Sequence, residues 1–281
     1  MHQKAWSISK CDFSFGNKYN YKVLVKLAPA ADLRKISQLL LLKGRYYERA
    51  NKYAEAIDYY LLSLTVANHL SQDKNMTSKM VSIGIEKYDF PLIKEYLGSG
   101  KADKNSCKKI ADSLTGYINH LFPAKELVES EKQTYVSNLQ MLIDEFRKDI
   151  NKKADLDIKT KESAKVFAED FKRQANELSD VYYGKFIKAA ETNSDGDWSD
   201  AVSAFETLKR SAQSRLLRDA GKDESFADVY LKNIKEPSLA HGMAAEILIV
   251  STPDFEKAVK TYYAALKDLS ELKSSATEKA E

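Results

Sequence analysis

The sequence predicts an all-α protein, an irregular antiparallel array of about nine or ten helices, and three observations lead there. Ten Gly and five Pro in 281 residues is about half the usual share of each. That is too few turn formers for a sandwich or barrel, which reverses every 8 to 12 residues or so. Apolar residues recur at helical spacing along most of the chain. Hydrophobic residues at 43 % and charged residues at 30 % supply a core and a solvated surface, which excludes disorder and collagen-like repetition.

Residues 1–28 are the least helical part. Cys11-Asp12-Phe13-Ser14-Phe15-Gly16-Asn17 is aromatic and turn-rich and predicts an irregular lead-in. Helical periodicity begins near Pro29, which suits a first turn because its missing N–H is not needed there. Leu33, Ile36, Leu40, Gly44 and Tyr47 share one face. Leu39, Leu42 and Tyr46 widen it, so this helix is expected to be covered on more than one side. After a turn at Ala50-Asn51-Lys52, a second helix places Ala56, Ile57, Tyr60, Leu64 and Ala67 inward, beside a stripe of Tyr59, Leu62, Val66 and His69.

Asn75 or Thr77 caps a third helix carrying Met80, Val81, Ile83, Ile85, Tyr88, Ile93 and Leu97. Pro91 is expected to kink or split it. Asp103 or Asn105 caps a fourth helix reaching about His120, and Pro123 opens a fifth with Tyr135, Leu139, Leu142, Phe146 and Ile150 on one face. The polar stretch 151–159 predicts a boundary between a helical domain at 29–150 and a second at 151–281. The latter opens with a long helix lined by Phe167, Phe171, Leu178, Tyr182, Phe186 and Ala189. A turn at Asn193–Asp197 follows. Further helices are expected at about 198–219, 225–235, 238–251 and 254–273, punctuated by Gly221, Pro237 and Pro253. Residues 274–281 have the composition of a frayed tail.

Lys plus Arg is 44 against 41 Asp plus Glu. Residues 1–150 carry 23 basic and 17 acidic side chains and the remainder 21 and 24, a mild asymmetry without the clustered basic face of a nucleic-acid binder. The densest basic stretch, Lys101 to Lys109, is interrupted by Asp103 and reads as a solvated helix start. Cys11 and Cys107 lie in no CxxC and near no His at ligand spacing, so ordinary thiols are expected, with a single disulfide left open. No apolar run is long enough to span a membrane. The opening residues lack an apolar signal segment, although a piece excised from an exported parent would open the same way. The compartment and oligomeric state stay open.

Residues 40–63 resemble a tetratricopeptide repeat. Gly44 and Tyr47 stand as its first small–aromatic pair, Ala56 and Tyr60 as its second, and Ser63 takes the place usually held by Ala. Leu40, Lys43 and the missing proline near Asn68 depart from the pattern. The resemblance implies a helical hairpin in which small side chains allow close crossing. The second helix recurs as Trp198-x2-Ala201-Val202-x2-Phe205 and Phe255-x2-Ala258-Val259-x2-Tyr262. The copies are too irregularly spaced for a tandem solenoid, and independent selection for close packing explains them equally well. More broadly, Leu33-x2-Ile36-x2-Leu39-Leu40, Ala56-x7-Leu64-x2-Ala67 and Met80-Val81-x-Ile83-x-Ile85-Glu86 resemble helical regions of bacterial all-helical proteins, often exported ones. That resemblance implies a shared module and carries no activity.

No HExxH, GxSxG, GxxxxGK[ST] or GxGxxG is present. His2, His69, His120 and His241 are isolated, and Asp195-Gly196-Asp197 lacks the spaced ligands of a calcium loop. No cofactor, metal or catalytic residue is expected. Tyrosine is in excess, 16 residues, several as doublets that place one ring inside and one at the rim of a helix. Rim tyrosines suit peptide contact because each offers an apolar face and a hydroxyl. The expected function is a non-catalytic scaffold presenting a groove to a protein or peptide, with Tyr46, Tyr59, Tyr183 and Tyr263 at its rim beside Lys43, Arg45 and Lys185. The alternative is a pocket for a small ligand such as a lipid or glycan, lined by Phe167, Phe171, Tyr182 and Phe186. A cluster of buried polar groups with perturbed titration would reopen the case for an enzyme.

Overall fold

The computed structural model describes residues 27–72, 76–121, 123–211, 225–235 and 238–281. The expected lead-in with Cys11, the Asn75 cap, Gly221, Pro237 and the 212–219 end of one helix lie outside them. The described residues form ten helices and no strand: α1 Leu27–Arg49, α2 Tyr53–Gln72, α3 Met76–Gly98, α4 Lys104–Asn119, α5 Ala124–Lys152, α6 Ile158–Thr192, α7 Asp195–Ser211, α8 Phe226–Asn233, α9 Leu239–Ser251 and α10 Phe255–Ala280. None of these is long and apolar enough to cross a membrane.

The chain divides into two compact units, Met1–Pro123 with Lys257–Glu281, and Ala124–Glu256. The boundary expected in 151–159 therefore falls inside the second unit, where α5 and α6 pack on each other. Its polar composition marks a tight reversal: Asp157 caps α6, accepting from the Thr160 amide at 2.6 Å.

In the first unit α2 packs against α1, α3 and α4. Asn51 turns the chain between α1 and α2 at φ 56°, the left-handed conformation that Asn tolerates. Gly44 then meets Tyr60: a β-carbon there would stand 2.7 Å from Cδ1 and closer still to Cε1. Ala56, Ile57, Tyr60, Leu64 and Ala67 are all buried as expected. Asp103 caps α4, accepting from the Ser106 amide. Cys107, on the same helix, is a buried thiol.

Two expectations in this unit are corrected. Pro91 does not split α3, which runs unbroken from Met76 to Gly98. The ring is exposed, so the carbonyl it cannot bond has access to water. The tail is not frayed: α10 continues to Ala280. Leu269, Leu272 and Ala276 extend its stripe into the core shared with Leu61, Ile110 and Tyr117.

In the second unit α6 packs against α5, α7 and α9. Asn193 ends α6 at φ 49°, its N–H bonding the Ala189 carbonyl. All three copies of the aromatic-x2-Ala pattern sit at or near helix starts with their alanines buried. A demand for close packing at helix entry is therefore common to them.

Candidate functional site

The hairpin α1–α2 positions the first group of expected rim residues. Ala30, Ser37, Leu41 and Gly44 form the buried line of α1, which leaves the opposite face outward. Ile36, Leu39, Leu42 and Tyr46 lie on that outer face at 47, 65, 67 and 63 % exposure. The expectation that α1 is covered on more than one side is thus corrected. Its small residues, together with Leu41, mark the seam, because α1 and α2 approach closely at Gly44. The aromatic rim is continuous. Tyr46 meets Tyr47 edge-on at 5.6 Å, and Tyr47 stacks on Tyr59 at 5.3 Å. Lys43 Nζ lies 5.0 Å over the Tyr46 ring and 5.2 Å over that of Tyr47. Arg45 has another task, binding Glu48 and Glu95 at 2.8 Å each and tying α1 to α3.

The remaining expected residues do not join this rim. Tyr263 lies half-buried on α10. Tyr183 and Lys185 belong to the second unit, where Lys185 pairs with Asp200 at 2.9 Å. Tyr183 is 1 % exposed and packs on Tyr135 and Phe255, so its rim assignment is corrected. The core line of α6 runs through Ala164, Ala168, Phe171, Ala175, Ser179 and Tyr183. Its small members let neighbouring helices close in, which rotates the seam away from Phe167, Leu178 and Tyr182. The ligand pocket expected at Phe167, Phe171, Tyr182 and Phe186 is likewise corrected. Phe167 packs on Phe146 and Tyr230, Phe171 on Phe167 and Phe226, Tyr182 on Phe205, and Phe186 on Phe205 and Phe255, all at 4.5 to 6.0 Å.

The first unit also holds a buried polar ladder. Lys79, Ser82, Glu86 and Asp89 are all buried, and their 3-4-3 spacing puts them on one face of α3. Tyr117 from α4 donates to Glu86 Oε1, while Ser82 Oγ lies 2.8 Å from that oxygen, 2.8 Å from the Ala67 carbonyl and 3.0 Å from Tyr117 Oη. Ser63 donates to Asp89 Oδ2 at 3.1 Å and lies 2.7 Å from Ser37 Oγ, which links α1, α2 and α3. Lys79 Nζ sits 5.1 Å over the Tyr262 ring and 5.9 Å over that of Tyr117. Burial lowers the Lys79 pKa against the opposing pull of Glu86. Burial, with a contribution from the Glu86 charge, pushes Asp89 well above the usual carboxylate range. Burial also raises Tyr117, with Glu86 adding to it.

Sequence reasoning missed this ladder because polar residues at helical spacing normally mark a solvated face. The available signal was that the apolar residues of α3, from Met76 and Ile83 through Ile85 to Ile93, fall around the whole helix. A helix apolar all round is buried, and its polar residues with it.

Asp89 gives the ladder a pH signature. Above about pH 4 the unfolded chain releases this proton before the folded one does. The Asp89 contribution to stability therefore falls as pH rises towards its folded pKa. Asp89→Asn does not titrate, so the stability of wild type relative to this variant is expected to decline with rising pH. Urea unfolding of both proteins across the acid-to-neutral range checks this, and a constant difference would contradict it.

Of the ladder residues, Glu86 lines an open cleft of about 380 Å³ between α3 and α10. Lys87 and Phe90 accompany it on α3, and the face of α10 from Lys257 to Asp268 forms the other wall. Comparison with protein families, with curated proteins and with solved structures finds no match.

Proposed function

We propose that the protein is a non-catalytic helical scaffold that binds a protein partner on the outer face of α1. The observation that carries this reading is the exposure of Ile36, Leu39, Leu42 and Tyr46 in helical register. Contiguous apolar surface on a folded protein marks an interaction site, whereas scattered single residues do not. Tyr47, Tyr59 and Lys43 extend the patch across the hairpin. Rigid rings there bury much area at little entropic cost.

The occupant that fits is an amphipathic helix with acidic flanks. A straight stripe at i, i+3, i+6 and i+10 accepts the apolar anchors of a second helix. Among the described residues of α1, Lys35, Lys43 and Arg49 border the same face with Asp32, which pairs with Lys35 at 3.1 Å, as the single acid, so the bordering charge of this helix is positive. Complementary carboxylates on the partner would set its orientation and speed encounter. The packed rings of the second unit give the lipid or glycan alternative no comparable support.

Selection of helical peptides from a displayed random library against the full chain tests the proposal. Enriched sequences are expected to carry apolar residues at i, i+3 or i+4 and i+7 interleaved with Asp or Glu. Leu39→Asp and the pair Tyr46→Ala with Tyr59→Ala should each weaken them at least tenfold. Because Leu39 and Tyr46 are exposed, Leu39→Asp should shift stability by no more than about 0.5 kcal/mol. Peptides that bind Leu39→Asp as tightly as wild type would refute the face. Self-association of the free chain that Leu39→Asp abolishes would make a second copy the occupant and overturn the partner assigned here.

A further inference from the structure

The basic side chains of the α1–α2 hairpin are not equivalent. Arg45 is engaged by Glu48 and Glu95 at 2.8 Å each, and Lys35 by Asp32 at 3.1 Å. Lys43 and Lys52 make no ion pair with the described residues. They gather instead at one aromatic ring, their Nζ atoms standing 5.2 and 5.9 Å from the centre of Tyr47. Arg49 has neither an ion pair nor a ring contact among the described residues.

Lys43 touches two rings. Tyr46 and Tyr47 meet at 79°, and the ammonium lies 5.0 Å from one ring centre and 5.2 Å from the other. Tyr59 stacks on Tyr47 at 5.3 Å with 11° between their planes, which steadies the ring that both lysines share. A ring face attracts a cation without offering an acceptor oxygen, so each ammonium keeps N–H donors for a carboxylate. The rings already restrict the Lys43 stem, and pairing there forfeits less rotamer freedom than at a mobile lysine. Two like charges at one ring also repel each other, and an anion between them relieves that repulsion. Glu55, exposed one turn before Tyr59 on α2, is the acid of this edge and leaves it net positive.

Resting on the assignment of the α1 face to a helical partner, we propose that Lys43 and Lys52 are its specificity-determining cations and receive two partner carboxylates at i and i+3 or i+4. Those positions bring β-carbons within about 5–6 Å of each other on a helix, which suits two receptors gathered at a single ring. Carboxylates elsewhere on the partner stay solvated and contribute little. The site therefore reads the position of acids rather than their number. Apolar anchors against Leu39 and Leu42 supply affinity, and the acidic pair fixes the register in which the partner helix lies.

Double-mutant cycles between the full chain and a library-selected helical peptide test this assignment. Lys43→Met and Lys52→Met keep an apolar stem beside the rings and remove only the charge. Both side chains are exposed, so melting temperatures should stay at the wild-type value. Each change should weaken the peptide about three- to fivefold, whereas Lys35→Met and Arg49→Gln should alter affinity less than about twofold. With the peptide's acids replaced by amides one at a time, Lys43 and Lys52 should each couple to a single acid. Those two acids should stand three or four positions apart. Coupling spread evenly over the acids, or carried by Lys35 or Arg49, would overturn the roles of Lys43 and Lys52 and leave the α1 face standing. Binding that Leu39→Asp fails to weaken would overturn the face itself, and these roles with it.

Discussion

Replacing Glu86 by Ala is expected to cost about 3–5 kcal/mol, the usual penalty for leaving a buried charge without its counterpart. Glu86 opposes the burial-driven loss of charge at Lys79 and accepts from the Tyr117 hydroxyl. Truncation leaves both groups enclosed, Lys79 without its counter-charge and the hydroxyl without this acceptor. Glu86→Gln separates the two effects, because the amide oxygen keeps an acceptor for Tyr117 while the charge is gone. Without that charge the Lys79 pKa falls further below its unfolded value. The unfolded chain then holds more protons between the two values, and stability rises with pH across that window. Glu86→Gln should therefore be destabilised most at low pH and recover towards alkaline pH, as read by urea unfolding. A variant as stable as wild type, or one whose deficit grows with pH, would contradict the ladder as an electrostatic unit.

Gly44→Ala is expected to destabilise by about 1–3 kcal/mol through overpacking, opposite in sign to the gain of nearly 1 kcal/mol that the change brings in an unconstrained helix. The Tyr60 ring cannot swing aside freely, since its hydroxyl donates to Glu48 at 2.8 Å and the side chain is buried. Tyr60→Ala removes the obstructing atoms, so Gly44→Ala in that background should become neutral or stabilising. The coupling shows as non-additivity in thermal melts of the two single variants and the double variant. Strict additivity would mean that the hairpin has room at this crossing. Ala56→Leu, at another buried small residue of the hairpin, should destabilise in the same way.

What the sequence disclosed and what it withheld follow from one physical distinction. Spacing reports which residues share a helix face, and it placed the hairpin, the Asp103 cap and the start of α5 correctly. It does not report which face is the seam. On α1 and α6 the large residues drew most of the expected core line, and Gly44 was placed on it correctly, yet Ser37 on α1 and Ala168 and Ala175 on α6 are buried positions it left out. Rotation by about one residue, roughly 100°, turned Leu39 and Leu42 outward and exchanged Tyr182 with Tyr183. The aromatic patch around Tyr46 and Tyr59 was legible because doublets on a helix must place one ring near the rim. The polar ladder on α3 and the docking of Leu272 and Ala276 depend on contacts between segments far apart in sequence. Local composition read the first as solvated and the second as a tail.

The claim on which this account rests is that the outer face of α1 is an open recognition surface. Hydroxyl-radical labelling of the full chain, free and with a library-selected helical peptide, measures it directly. In the free protein Leu39, Leu42 and Tyr46 should label readily, as should Met141 and Val181, which are exposed on the second unit. The peptide should suppress labelling at the three α1 positions several-fold and leave Met141 and Val181 unchanged. Labelling of α1 that is already low in the free chain, or that the peptide leaves untouched, would contradict the account.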